Sequence, residues 1–172
     1  MWLPTADDRE EGCNMLLYHG STIDIREIDL RQSKPNKDFG CGFYLSDDRR
    51  QAMDMAEFKA FQIGGTPVLN VYEFDENLLH AVTFKVKTFE GYSKEWAQFV
   101  FENRNAPNGD SVHDYDIVYG PIANDRVGLQ IRRYMEKEIT FDTFLERLKY
   151  MKGVTYQYFF GTERAITQLR KL

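Results

Sequence analysis

Lys37-Asp-Phe-Gly-Cys-Gly-Phe-Tyr-Leu-Ser46 is a glycine-pinned turn that runs into a short apolar strand and ends on a serine. Gly40 and Gly42 let the main chain approach a neighbour closely or take positive φ, where a side chain would clash. Phe43-Tyr-Leu45 then supplies a rigid platform. Beyond Ser46, the stretch from Asp47 to about Gln62 spaces its apolar residues for one helical face, with Ser46 or Asp47 suited to the N-cap. Strand, turn and helix start therefore meet near Tyr44. Together with Tyr18-His-Gly-Ser21 upstream, the arrangement suggests a nucleotide site.

Upstream of this stretch, Met15-Leu-Leu-Tyr-His19 reads as a short buried strand and Ser21 to Asn36 as a loop with one helical turn. Downstream, Val68 to Phe74 is a strand by its β-branched and aromatic content. Val82-Thr-Phe-Lys-Val-Lys-Thr88 alternates, which predicts a half-exposed strand with Val82, Phe84 and Val86 inward. Ser93 caps a helix that buries Trp96, Phe99 and Val100. Tyr115 to Tyr119 is an inner strand stopped by Gly120-Pro121. Ala123-Asn-Asp125 and Thr140 cap two further helices, Gly153 to Phe160 is a last strand, and Thr162 opens a closing helix that carries Ala165, Ile166 and Leu169. Strands and helices mix without regular βαβ alternation, so the predicted class is α+β.

The chain has 172 residues, of which 42% are hydrophobic and 15% aromatic, enough for one compact domain over 15–172 behind a polar N-terminal extension, 1–14. With 22 basic and 27 acidic side chains the net charge is −5, which argues against general attraction to nucleic acid or an anionic membrane. Cys13 and Cys41 make neither a disulfide framework nor a zinc spacing, which predicts a reducing cytoplasmic setting and no metal. No apolar run is long enough to span a membrane, and the N-terminus lacks the pattern of a signal peptide.

His19-Gly20-Ser21 on one strand and Phe39-Gly-x-Gly-Phe-Tyr44 on another resemble the ADP-ribosyltransferase superfamily, in the branch marked by a His-Tyr-Glu triad that includes the poly-ADP-ribose polymerases. A closer likeness is to the bacterial domain-of-unknown-function 3990 family. It rests on Tyr-His-Gly-Ser21, Asp-Phe-Gly-x-Gly-Phe-Tyr44, Ile-Val-x-Gly-Pro-x-Ala-Asn-Asp125 and a terminal strand that contains Gln157. The resemblance implies a split pair of β-sheets with an NAD cleft between them, and NAD as a substrate. It also implies a macromolecular acceptor, protein or nucleic acid, and a small cognate antagonist for a toxin or regulatory component.

By the same resemblance, His19 binds a hydroxyl of the adenosine ribose, Gly20 binds the nicotinamide carboxamide through its main chain, and Tyr44 stacks on the nicotinamide. Ser21, Gly42 and Met55 complete the cofactor-binding set. The residue types suit these tasks, since an imidazole donates or accepts a proton and a tyrosine face attracts a flat cationic ring. Two positions depart from the polymerases. Gln157 stands at the triad glutamate, keeping a hydrogen bond but losing its charge. Ala52 and Met55 stand where those members carry a serine and a second tyrosine. Glu163 is the other acidic candidate, more simply a partner of a helix dipole.

Plainer readings stand beside these. A histidine after an apolar strand can be purely structural, Tyr44 can be core, and Gln157 can be a buried amide bonded to main chain. Asn124 and Asp125 read as helix caps, His113-Asp114 as a polar loop, and Arg49 and Arg50 as a solvated helix face. Function is accordingly read as a mono-ADP-ribosyltransferase, with a catalytically silent NAD or ADP-ribose-binding module and a plain protein-interaction domain as the alternatives.

Overall fold

The computed structural model describes residues 13–172, so residues 1–12 of the expected extension lie outside the described residues. The first strand, β1, spans Asn14–Ser21 and so begins at the last residue of that extension. The fold is α+β, as expected, with two sheets. In the first, β1 pairs with β3 (Val68–Asp75) and β3 with β7 (Arg170–Lys171), all antiparallel. The second has the order β2 (Phe43–Leu45), β6 (Tyr156–Phe160), β5 (Ile117–Pro121), β4 (Val86–Thr88), antiparallel except for the parallel β4–β5 pair. Among the described residues a single pair, Tyr18 and Ser46, bridges the sheets through reciprocal N–H···O=C bonds of 2.7 and 2.9 Å.

The second sheet is buried on both faces, which explains why Tyr158-Phe-Phe160 and Ile117-Val118 are continuous apolar runs. Alternation sends Val118 and Phe159 into one core and Ile117, Tyr158 and Phe160 into another. The first core holds Phe39, Trp96 and Phe144 beneath α2 (Lys94–Arg104), α3 (Asp125–Met135) and α4 (Phe141–Leu148). The second joins Leu17, Tyr72 and Phe74 of the first sheet to the opposite face of the second, closed by Ala165 and Ile166 of α5 (Glu163–Ile166). Ser93, Asn124, Thr140 and Thr162 cap their helices through side-chain acceptors, as their positions predict.

Helix α1 (Arg49–Ile63) packs on β1 by close approach. Ala52 and Ala56 are its buried residues, and a Cβ on Gly20 would overlap the Ala52 carbonyl and stand 2.7 Å from Ala56 N. The expected apolar face is thus replaced by two alanines against a glycine, and Phe58 and Phe61 are exposed. Asp48 caps this helix, where Ser46 or Asp47 was expected. Ser46 is committed to the bridge, and its Oγ accepts from Asp48 N.

Two strand expectations and one helix expectation are corrected. Val82 is fully exposed and pairing in β4 begins only at Val86, because the preceding chain is clipped to Asp116 through the Lys85 N–H and carbonyl. Strand β5 runs through Gly120-Pro121 instead of stopping there. Its neighbour β4 ends opposite Tyr119, so Pro121 meets only β6 and its missing N–H leaves no ladder bond unmade. The closing helix stops at Ile166, and Arg170-Lys171 leaves it to join β3 as β7.

Candidate functional site

Beside the Tyr18–Ser46 bridge, a cleft of about 380 Å³ is lined by His19 and Gly20 of β1, Tyr44 of β2, Met55 and Lys59 of α1, and Gln157 of β6. A second recess of about 590 Å³ adjoins it under the loop that follows β1 and takes in Ser21 and Gly42. His19, Lys37, Tyr44 and Lys59 border both. Each volume falls within the usual ~300–1,000 Å³ of small-molecule sites. Every residue singled out for the site from the sequence therefore borders one lobe or both.

His19 stands where the β1–β2 ladder fails to continue beyond its one bridge. Its Nδ1 lies 2.6 Å from the Tyr44 carbonyl and its ring stacks on Phe43 at 4.4 Å. A carbonyl can only accept, so Nδ1 carries the proton and Nε2 is left as an acceptor. Burial, opposed by that hydrogen bond and reinforced by the charges of Lys59, Lys37 and Lys171, lowers the His19 pKa to about 4. The imidazole is neutral near pH 7.

Tyr44 is immobilised by its own hydroxyl, which donates to the Gly40 carbonyl at 2.7 Å and accepts from Phe39 N–H at 3.1 Å. Burial pushes the phenol well above its ordinary pKa, so it stays protonated. The turn that makes this possible needs Gly40, whose φ is +95°. Gly42 has a different reason, since a Cβ there would press on the Phe159 ring and the Phe160 carbonyl. The Tyr44 ring meets Phe159 edge-on at 5.3 Å and carries the Lys37 ammonium 4.9 Å from its centroid.

Gln157 shares a face with this ring. Tyr44 pairs with Phe159, and Gln157 lies two residues along β6 on the same side, about 7 Å by strand rise. The adjacent Tyr156 carbonyl takes Gln51 Nε2, whereas the half-buried Gln157 amide has no protein hydrogen bond among the described residues. That differs from a structural amide satisfied by main chain. Gly20 follows Tyr18 by two on β1, and Tyr18 spends its N–H and carbonyl on Ser46, so the Gly20 pair points to the same side of the strand. Its carbonyl accepts from Lys59 Nζ at 2.7 Å.

The plainer readings hold for the remaining residues. Asn124 Oδ1 caps α3 by accepting from Val127 N–H. His113 uses both ring nitrogens on main chain, Nε2 toward the Phe39 carbonyl and Nδ1 from Tyr115 N–H. Arg49 and Arg50 are exposed, and Glu163 sits in the first turn of α5. Sequence reasoning gave no role to Lys37, Lys59, Asp38 or Arg104, all of which line the cleft. Asp38 is its carboxylate, held in an ion pair with Arg104 at 2.6 Å. Lys59 had a signal: it falls three residues after Ala56 and seven after Ala52, on the face that meets β1.

A family model described as Protein of unknown function (DUF3990) matches residues 15–171. No curated protein and no solved structure matches the chain.

Proposed function

The chain belongs to the family described as Protein of unknown function (DUF3990), and for this member we propose an NAD-dependent mono-ADP-ribosyltransferase of the split-sheet type, acting on a macromolecular acceptor. The observation that carries this reading is convergence: His19, Gly20, Tyr44 and Gln157, drawn from three strands of two sheets, border one cleft with a second lobe beside it. In the reaction, the bond between the ribose anomeric carbon and the nicotinamide nitrogen breaks, its electron pair leaving with neutral nicotinamide. The acceptor's lone pair forms the new bond to that carbon, and the acceptor's proton passes to solvent.

Each residue has a task it can perform. A fixed, neutral tyrosine offers a face for the pyridinium ring by stacking and cation–π attraction. His19 Nε2 accepts from a ribose hydroxyl. Gly20 has its main-chain groups on the open edge of β1 for a carboxamide. Gln157 accepts from a hydroxyl of the ribose that becomes cationic, contributing orientation without the Coulomb attraction a glutamate would add.

A second reading, a silent NAD or ADP-ribose-binding module, is favoured by one feature. The carboxylate in the cleft lining, Asp38, is spent on Arg104, so the wall presents no uncompensated negative charge to a developing cation. Nicotinamide release by the purified protein, with and without cell lysate as acceptor source, decides between them. Lysate-dependent release supports the transferase. Binding of NAD without release selects the module, and absence of both overturns the two together.

A further inference from the structure

Two lysines hold the very groups that a nicotinamide would need. Lys59 Nζ donates to the Gly20 carbonyl at 2.7 Å, and Lys37 Nζ lies over the Tyr44 ring. Both side chains stand on the wall shared by the two lobes, with only His19 and Tyr44 for company there. Lys37 keeps solvent contact at the mouth, while Lys59 is half-buried. Neither is in an ion pair among the described residues, although carboxylates line both lobes. Asp38 is taken by Arg104, Asp24 by Arg26 and Lys171, and Asp29 by Arg31, which leaves Glu27 of the second lobe outside these pairs.

The cluster is strained electrostatically. Desolvation lowers the pKa of Lys59, and Lys37 and Lys34 lower it further. Lys37 is lowered by desolvation and then by Lys34, with Asp38 and Cys41 opposing. Like charges gathered in a partly dry wall, neither of them in an ion pair, are relieved by an anion that bonds to both. The anion suited to a wall between two lobes is a linker that joins two moieties, one in each.

We propose that Lys37 and Lys59 form a diphosphate subsite at the waist of the cleft, and that a bound diphosphate draws Lys59 off the Gly20 carbonyl and Lys37 off the Tyr44 face. This rests on the nucleotide reading of the cleft and narrows it to ligands whose halves are joined by a diphosphate. A nucleoside without that group meets both positions already engaged. The two lysines are positioning residues that make the ring and carboxamide sites available only when the correct linker is present.

The test is calorimetric binding of NAD, inorganic pyrophosphate and nicotinamide riboside at low and moderate salt, with nicotinamide release measured in parallel. Wild type, Lys59→Met, Lys37→Met and the surface control Lys152→Met are compared, and thermal melts confirm folding. The expected result is salt-sensitive binding of NAD and pyrophosphate that falls at least tenfold in either cleft variant. Nicotinamide riboside should bind those variants as well as or better than wild type. Pyrophosphate that fails to bind wild type, or NAD binding unchanged in both cleft variants, overturns the subsite. Lysine-dependent pyrophosphate binding without nicotinamide release keeps the subsite and removes the transferase reading. Turnover with unaltered KM in both variants does the reverse. Because one lysine sits on a loop and the other on a helix, a folding defect in one leaves the other to decide.

Discussion

His19 and His113 each place a ring nitrogen on a main-chain carbonyl, at 2.6 Å to Tyr44 and 2.7 Å to Phe39, and burial lowers the pKa of both. Their second nitrogens differ. His113 Nδ1 accepts from Tyr115 N–H inside an aromatic nest of Phe99, Tyr115 and Phe159, so its hydrogen-bonding capacity is used up by the fold. His19 Nε2 is left over on a cleft wall. Burial and perturbed titration alone therefore do not separate a structural histidine from a ligand-facing one. The count of committed nitrogens does.

The largest effect expected from this contrast is on binding. His19→Ala and Tyr44→Ala should each remove measurable NAD binding in calorimetry, whereas His113→Ala should keep affinity within a few-fold when assayed below its melting temperature. Equal losses at both histidines would break the comparison. Next, Gln157→Ala should leave NAD affinity within a few-fold and lower nicotinamide release by about 100-fold, the scale of one transition-state hydrogen-bond partner. Turnover retained in His19→Ala, Tyr44→Ala and Gln157→Ala together would sink the site assignment. In stability the order reverses. His113→Ala strands a buried carbonyl and N–H and should cost about 3 kcal/mol in urea unfolding, while His19→Gln, which can still donate to Tyr44, should cost under ~1 kcal/mol.

The smallest effect is a pH slope. His19 is lowered to about 4 from an ordinary value near 6.5, so between those limits the unfolded chain binds more protons and stability rises with pH. Acidification from pH 7 to 5 should remove roughly 2 kcal/mol through this residue. His19→Gln should flatten that part of the curve, leaving the contribution of His113, which has the same sign. An unchanged slope in His19→Gln would show that the ring is not held neutral by its surroundings. Asp116 acts in a lower window. Burial would raise its pKa, but Arg164, the Lys85 N–H and the Thr162 hydroxyl outweigh this and hold it at about 2. Its stabilisation is complete above its ordinary carboxylate range and is lost as pH falls toward 2.

What could be read from the sequence follows the range of the interactions involved. The turn before Tyr44 was legible because a positive φ at Gly40 and a three-residue strand are local matters. So were the four helix caps, which need only a side chain and the next turn. The reason for Gly20 was not legible. The resemblance gives it a main-chain role toward a ligand, but packing of α1 also demands it, and that contact joins residues more than thirty positions apart. The Asp38–Arg104 pair, 66 residues apart, left no trace in spacing. Val82 to Thr88 shows the opposite failure. Its alternation is real, but Phe84 packs outside the sheet under Arg164, and a two-residue period does not say where pairing begins. Strand β7 is too short to carry any period at all.

The lone Tyr18–Ser46 bridge has a consequence for how this molecule tolerates change. The groups given a task in the reaction on β1 and β2 lie within two positions of that pair: His19 and Gly20 on one strand, Tyr44 on the other. Strand parity turns a one-residue shift into a reversal of face. An insertion between the exposed Lys34 and Pro35 lengthens a surface excursion, whereas one placed between Tyr18 and Gly20, or between Tyr44 and Ser46, rotates the site away from its cleft. The site thus inherits its alignment from a clasp with no spare teeth.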